Sequence, residues 1–160
     1  MVPKLTQNKL RDVDWAWLAG FIDGEGYIGI VRHRKVADTQ QSATWLYHPW
    51  LIITNTDVLV LEYVESVVSS QKRASLGRTA GHRLGYQVKV TKFKEIERLL
   101  TGIYPFLRAK KEQAKLLMKF CDLRVRAKIV TGRGSRGSSS FGENEEEIYL
   151  QLRKLNKRGV

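Results

Sequence analysis

Acidic residues are scarce in this chain. Its 160 residues hold 16 Asp and Glu against 28 Lys and Arg, a formal net charge of +12 and a pI near 10.0. That surface repels cationic partners and favours nucleic acid or an anionic membrane. Long hydrophobic runs are also missing. No apolar stretch approaches the roughly 18 residues that cross a bilayer. The start, Met1-Val2-Pro3-Lys4, lacks the apolar region of a secretory signal. No basic amphipathic helix stands apart as a membrane anchor would, because Lys and Arg are spread over strands, helices and a glycine-rich loop. Nucleic acid is therefore the expected partner. The single cysteine, Cys121, excludes an internal disulfide and reads as a core thiol in a reducing compartment, cytoplasmic or organellar rather than secreted. Asparagine is sparse as well, with four residues; together with the many charges this mildly suggests a heat-tolerant source.

What is present is one domain's worth of patterned chain. Residues 13–23 read as a helix, with Trp15, Leu18, Phe21 and Ile22 on an apolar face. A second stripe, Ala16, Gly20 and Gly24, is small at every fourth position, which lets another backbone approach closely. Ending the helix explains Gly24 and Gly26, but Gly20 costs about 1 kcal/mol in a helix interior. Residues 27–36 alternate as a strand, with Ile28 and Ile30 one way and Gly29, Val31, His33 and Lys35 the other. A second strand over 45–54 is apolar on both faces, so the pattern leaves its inward side open. Thr56-Asp57 caps a helix expected to run to about residue 70. Residues 73–79 and 84–91 read as a hairpin around Ala80-Gly81, with Val88 and Val90 inward and Gln87 and Lys89 outward. Helices follow over 93–102 and 107–129, separated near Pro105. A flexible basic loop spans 131–142, and a last helix spans 143–156 with acids at its start and Arg153, Lys154 and Lys157 near its end.

The order αββαββα predicts an α+β fold: a four-stranded antiparallel sheet with helices on one face and a polar, basic surface on the other, plus C-terminal helices. The core unit is expected over about 13–125, with an extension over 126–160. Nothing downstream repeats residues 17–26.

Trp17-Leu18-Ala19-Gly20-Phe21-Ile22-Asp23-Gly24-Glu25-Gly26 is the most informative stretch. Asp23 and Glu25 lie where the first helix stops, beside unpaired carbonyls and about half a negative charge. Two carboxylates there are unfavourable unless a cation joins them, and a hard divalent ion would take carboxylate and backbone oxygens together. The competing reading has Asp23 bonding locally to backbone and Glu25 solvated in a turn. Gly24-Glu25-Gly26-Tyr27-Ile28-Gly29 also satisfies G-x-G-x-x-G, but these glycines follow a helix and open a strand. The dinucleotide fingerprint needs the reverse order, so a nucleotide cofactor is excluded.

Residues 18–26 resemble the signature of the LAGLIDADG homing endonucleases: Leu18, Ala19, Gly20, Asp23 and Gly26 match, and Phe21, Ile22, Gly24 and Glu25 are common variants. The likeness extends to Thr54-Asn55-Thr56-Asp57 before a helix, and to the proline, basic cluster and helix start over 105–114. The resemblance implies that Glu25 binds a catalytic divalent metal, Mg²⁺ or another such as Mn²⁺, with the Gly24 carbonyl. It implies that Asn55 is a polar, water-ordering residue and that Lys110, with Lys111 as its rival, polarises water or stabilises the phosphate transition state. Asp23 would cap its helix and hold Glu25 in place. Glu at position 25 replaces the family's Asp, keeping the charge on a longer arm.

A single signature implies a homodimer joined through Ala16, Gly20 and Gly24. The implied activity is site-specific cleavage of both strands of double-stranded DNA at a long pseudo-palindromic site. A chain starting at Met1 looks more like an intron-encoded enzyme than an intein. Bases would be read by outward strand residues: His33, Lys35, His48, Arg78, Arg83, Gln87 and Lys89 are the expected DNA-binding set, with Arg133 and Arg136 in the glycine-serine loop holding phosphates. The alternatives on this fold are an RNA-binding intron maturase, with intron RNA as partner, and a DNA-binding protein without catalysis.

Overall fold

The computed structural model describes residues 10–35, 44–68, 73–75, 84–131 and 142–157. The expectations for Arg78, Arg83, Arg133, Arg136, the Ala80-Gly81 turn and the Lys35 side chain lie outside the described residues. Among the described residues the order is α1 (Asp12–Glu25), β1 (Gly26–Lys35), β2 (Thr44–Asn55), α2 (Val58–Val67), β3 (Arg73–Ser75), β4 (Tyr86–Val90), α3 (Phe93–Ile103), α4 (Lys111–Thr131) and α5 (Glu143–Asn156). The strands form one antiparallel sheet in the order β1-β2-β4-β3, which is the expected α+β arrangement. No helix among these residues is long and apolar enough to cross a membrane.

Local chemistry sets the helix ends. Asp14 in the first turn of α1 accepts the Arg11 backbone N–H at 2.9 Å, and the acids there suit the positive end of the helix. Asp57 caps α2 by accepting the N–H groups of Leu59 and Val60 at 2.9 and 3.4 Å. That helix ends at Val67, short of the expected residue 70.

The register resolves the strand whose pattern was ambiguous. Ile28 pairs with Leu51 and Gly26 with Ile53, while Leu51 and Ile53 pair in turn with Val90 and Val88. Paired residues share a face, so Leu51 and Ile53 point into the core and are fully buried. Leu46, His48, Trp50 and Ile52 stand on the open face with His33, Gln87 and Lys89. Leu18 and Ile22 of α1, Leu61 and Val64 of α2, and Leu99 and Phe120 from α3 and α4 close the core beneath the sheet. Cys121 is buried among them, and burial pushes its thiol up to about 12, so it is inert, as a core thiol should be.

The C-terminal helix is built into this core. Ile148 and Leu152 are 2% and 1% exposed. Arg124 of α4 pairs with the buried Glu145 at 3.2 Å, and Arg32 of β1 pairs with Glu146 at 2.8 Å while lying 4.1 Å from the centroid of the Trp45 ring.

The crossing of α1 over α3 depends on Gly102. A Cβ added there would stand 2.6 Å from the Trp15 ring, too close for any real contact. Gly102→Ala should therefore destabilise the protein by about 1–2 kcal/mol, overpacking outweighing the helix-propensity gain. The check is the midpoint of urea unfolding, which should fall at constant slope. An unmoved midpoint would mean that Trp15 swings aside freely.

Candidate active site and nucleic-acid interface

The C-terminus of α1 and the residues before α4 are locked together by two reciprocal sets of hydrogen bonds. The Asp23 carboxylate accepts the backbone N–H groups of Arg108, Ala109 and Lys110 at 2.7, 3.2 and 2.9 Å. In return the Lys110 ammonium donates to the carbonyls of Ile22 and Asp23 at 2.8 and 2.5 Å. A cation thus fills carbonyls that a helix end leaves unpaired. The same bonds explain why α4 starts at Lys111 rather than at residue 107: the amides of 108–110 are drawn to Asp23 instead of into a helical turn. Asp23 was expected to cap its own helix; its carboxylate instead holds the segment 85 to 87 positions downstream.

Glu25 is the last residue of α1, exposed, two positions beyond this lock. It opens on a cleft of about 500 Å³ lined by Gly24, Glu25, Gly26, Tyr27, Thr54, Lys110, Gln113, Leu155, Asn156 and Lys157. Lys110 and Lys111 separate clearly. Lys110 lines the cleft, whereas the Lys111 ammonium lies 5.1 Å from the Tyr104 ring centroid. Asn55 is not among the lining residues; its side-chain oxygen accepts the Asp57 N–H at 2.8 Å and so serves the start of α2. Its neighbour Thr54 faces the cleft instead. Sequence reasoning also missed Gln113, one turn beyond Lys110 on α4, and the end of α5. Gln113 was within reach of the 3.6-residue period; the α5 contacts carry no local signal.

Among the described residues no three His, Cys, Asp or Glu side chains gather as a metal cluster. One carboxylate with neighbouring backbone oxygens does not suit Zn²⁺, which takes three or four nitrogen, sulfur or oxygen side chains. It suits a hard ion that keeps waters and takes phosphate oxygens, as Mg²⁺ does.

The open face of the sheet continues from this cleft. The His33 and His48 rings lie 5.5 Å apart on adjacent strands, and both residues are exposed. Partial desolvation of its ring against the sheet, then the neighbouring charges of His33 and Lys89, hold His48 below the usual histidine value of 6.5. It therefore presents a neutral ring with one donor and one acceptor at neutral pH. The Lys89 ammonium sits 3.1 Å from the Trp50 ring centroid, which orients it across the face. Gln87 pairs with Thr54 at the cleft end. Elsewhere on the surface, Gly20 and Gly24 of α1 are exposed, and a Cβ added at either meets no atom of the described residues within 4 Å; Ala16 is half-buried.

The fold is that of the LAGLIDADG homing endonucleases. The archaeal intron-encoded homing endonuclease I-Vdi141I, solved with DNA, matches 93% of this chain and 87% of its own with a TM-score of 0.68 at 19% identity. The homing endonuclease I-CvuI, solved with its target in the presence of Ca, matches 90% of this chain and 95% of its own with a TM-score of 0.59 at 19% identity. The LAGLIDADG homing endonuclease I-GzeII, solved with a DNA target, matches 92% of this chain but 44% of its own, with a TM-score of 0.57 at 18% identity. No protein-family model and no curated protein matches the sequence.

Proposed function

We propose that this protein is a homing endonuclease of the LAGLIDADG type, a homodimer that hydrolyses both strands of double-stranded DNA at a long, partly palindromic site with a divalent metal. The observation that carries this reading is the cleft at the end of α1, lined by both Glu25 and Lys110, beside an open sheet face bearing His33, His48, Gln87 and Lys89. The +12 charge supplies the affinity for a polyanion. The chain spans nearly all of I-CvuI and under half of I-GzeII, so two copies would match the longer protein.

Glu25, with the Gly24 carbonyl, would hold the ion, preferably Mg²⁺. Bound there, the ion supplies charge stabilisation at the phosphate and at the departing oxygen. Lys110 adds a positive charge at the same helix end, held there by the two carbonyls it binds. Asp23 acts one step removed, by keeping Lys110 and Glu25 in register. The paired strands β1 and β2 form a ribbon of a size that enters a major groove, where His33, His48, Gln87 and Lys89 would meet base edges. Dimerisation through α1 would bring two Glu25 carboxylates to phosphates of opposite strands.

The test is a library of long duplexes with randomised sequence, incubated with the protein in Mg²⁺, whose cut ends are sequenced. Recovery of one long, partly palindromic site is expected. Binding of intron RNA with no cut duplex in Mg²⁺ or Mn²⁺ would instead favour a splicing role. On the recovered duplex, Lys110→Met should slow single-turnover cleavage at least about tenfold, about 1.4 kcal/mol of transition-state stabilisation, and Lys111→Met should do less. The reverse order would move the role onto Lys111.

A further inference from the structure

Core packing explains most of α5 but not its last turn. Ile148 and Leu152 anchor the helix, which then runs on to Leu155, Asn156 and Lys157 at the Glu25 cleft. Asn156 fixes that end. Its side-chain amide donates to the Ile28 carbonyl of edge strand β1 at 2.9 Å, and it lies within hydrogen-bonding reach of the Tyr27 hydroxyl. The Tyr27 ring lies along the sheet across Gly29, where an added Cβ would come within 2.6 Å of it. Burial raises the Tyr27 phenol above its ordinary value of 10.0, so it stays a neutral hydrogen-bonding group at physiological pH. Gly29, Tyr27 and Asn156 thus hold the end of α5 in place.

The next residue, Lys157, is exposed and lines the same cleft as Glu25 and Lys110. Two hydrogen bonds tie the Lys110 ammonium to helix carbonyls. Lys157 forms no ion pair among the described residues, and its place on the cleft wall leaves its ammonium within the length of one side chain of the Glu25 end of α1. We propose that Lys157 binds the phosphate being cleaved and that Asn156 is the positioning residue that aims it, making the end of α5 part of the active centre. This rests on the endonuclease reading above. An ammonium held next to the reacting phosphate gains most as charge builds on the phosphate oxygens, so its effect belongs to the rate more than to affinity.

The test uses the full chain and the duplex recovered from the library. Single-turnover cleavage in Mg²⁺ is compared with affinity for the same duplex in EDTA. Lys157→Met should slow cutting at least about tenfold while weakening affinity less than about threefold, and Lys157→Arg should restore most of the rate. Asn156→Ala should fall between them in rate, with affinity again nearly unchanged. Wild-type cutting by Lys157→Met, or equal losses of rate and affinity, would overturn the inference and leave the endonuclease reading standing. A wild-type protein that cuts no duplex would overturn both.

Discussion

Replacing Glu25 by Gln should abolish strand cleavage while DNA binding survives. The substitution removes one negative charge and almost no volume, at an exposed position at the end of α1, so the fold has no reason to respond. What it removes is the anionic oxygen that a hard divalent ion requires. The neighbouring acid cannot replace it, because both oxygens of Asp23 are engaged by the amides of residues 108–110. Cleavage should fall by at least about a hundredfold, about 2.7 kcal/mol of transition-state stabilisation. Affinity for the same duplex should stay within about twofold or improve slightly, since a like charge facing the phosphates has been removed. The measurement pairs single-turnover cutting with a binding titration. Near-normal cutting in Mg²⁺ would sink the assignment of Glu25 as metal ligand.

How much of this site could be read from the chain depends on the range of the forces involved. The end of α1 was legible, since its apolar face and its glycines lie within one short segment. The alternation of β1 was legible for the same reason. Strand β2 was not, because Leu46, Trp50 and Ile52 are as apolar as the residues opposite them. Trp50 earns its place on the open face by carrying the Lys89 ammonium, a contact between separate strands that no local pattern announces. The start of α4 was misplaced by four residues because Asp23, far away in sequence, competes for its first amides. Asn55 illustrates the limit of register: strand alternation turns its neighbour Thr54 toward the cleft and leaves Asn55 to bond the Asp57 amide. Asn156 reaches Ile28 across 128 positions, and nothing in its own surroundings suggests that contact.

Gly20→Leu should leave the monomer folded and dissolve the proposed dimer. A glycine in a helix interior costs about 1 kcal/mol relative to a good helix former. Among the described residues nothing offsets that cost: a Cβ at Gly20 would meet none of their atoms within 4 Å, and the same holds at Gly24. Close approach of a second α1, as in the proposed dimer, would use the room these glycines leave. The flank of this helix supports it: Val13 and Trp17 are 58% and 40% exposed, and together with Leu59, 74% exposed, they border an open apolar cleft between α1 and α2. An exposed apolar patch beside the glycines is the kind of surface the proposed dimer would cover. In a twofold dimer every substitution acts twice. Overpacking of about 1–3 kcal/mol per protomer then totals about 2–6 kcal/mol, raising the dissociation constant between about 30-fold and about 20,000-fold. The thermal midpoint of the isolated chain should rise or hold, which separates a lost interface from a lost fold. Sedimentation with and without DNA gives the oligomeric state, and plasmid cutting separates nicks from double-strand breaks. The leucine variant should sediment as a monomer and lose double-strand cleavage; one that stays dimeric and cuts both strands would place the interface elsewhere than on α1.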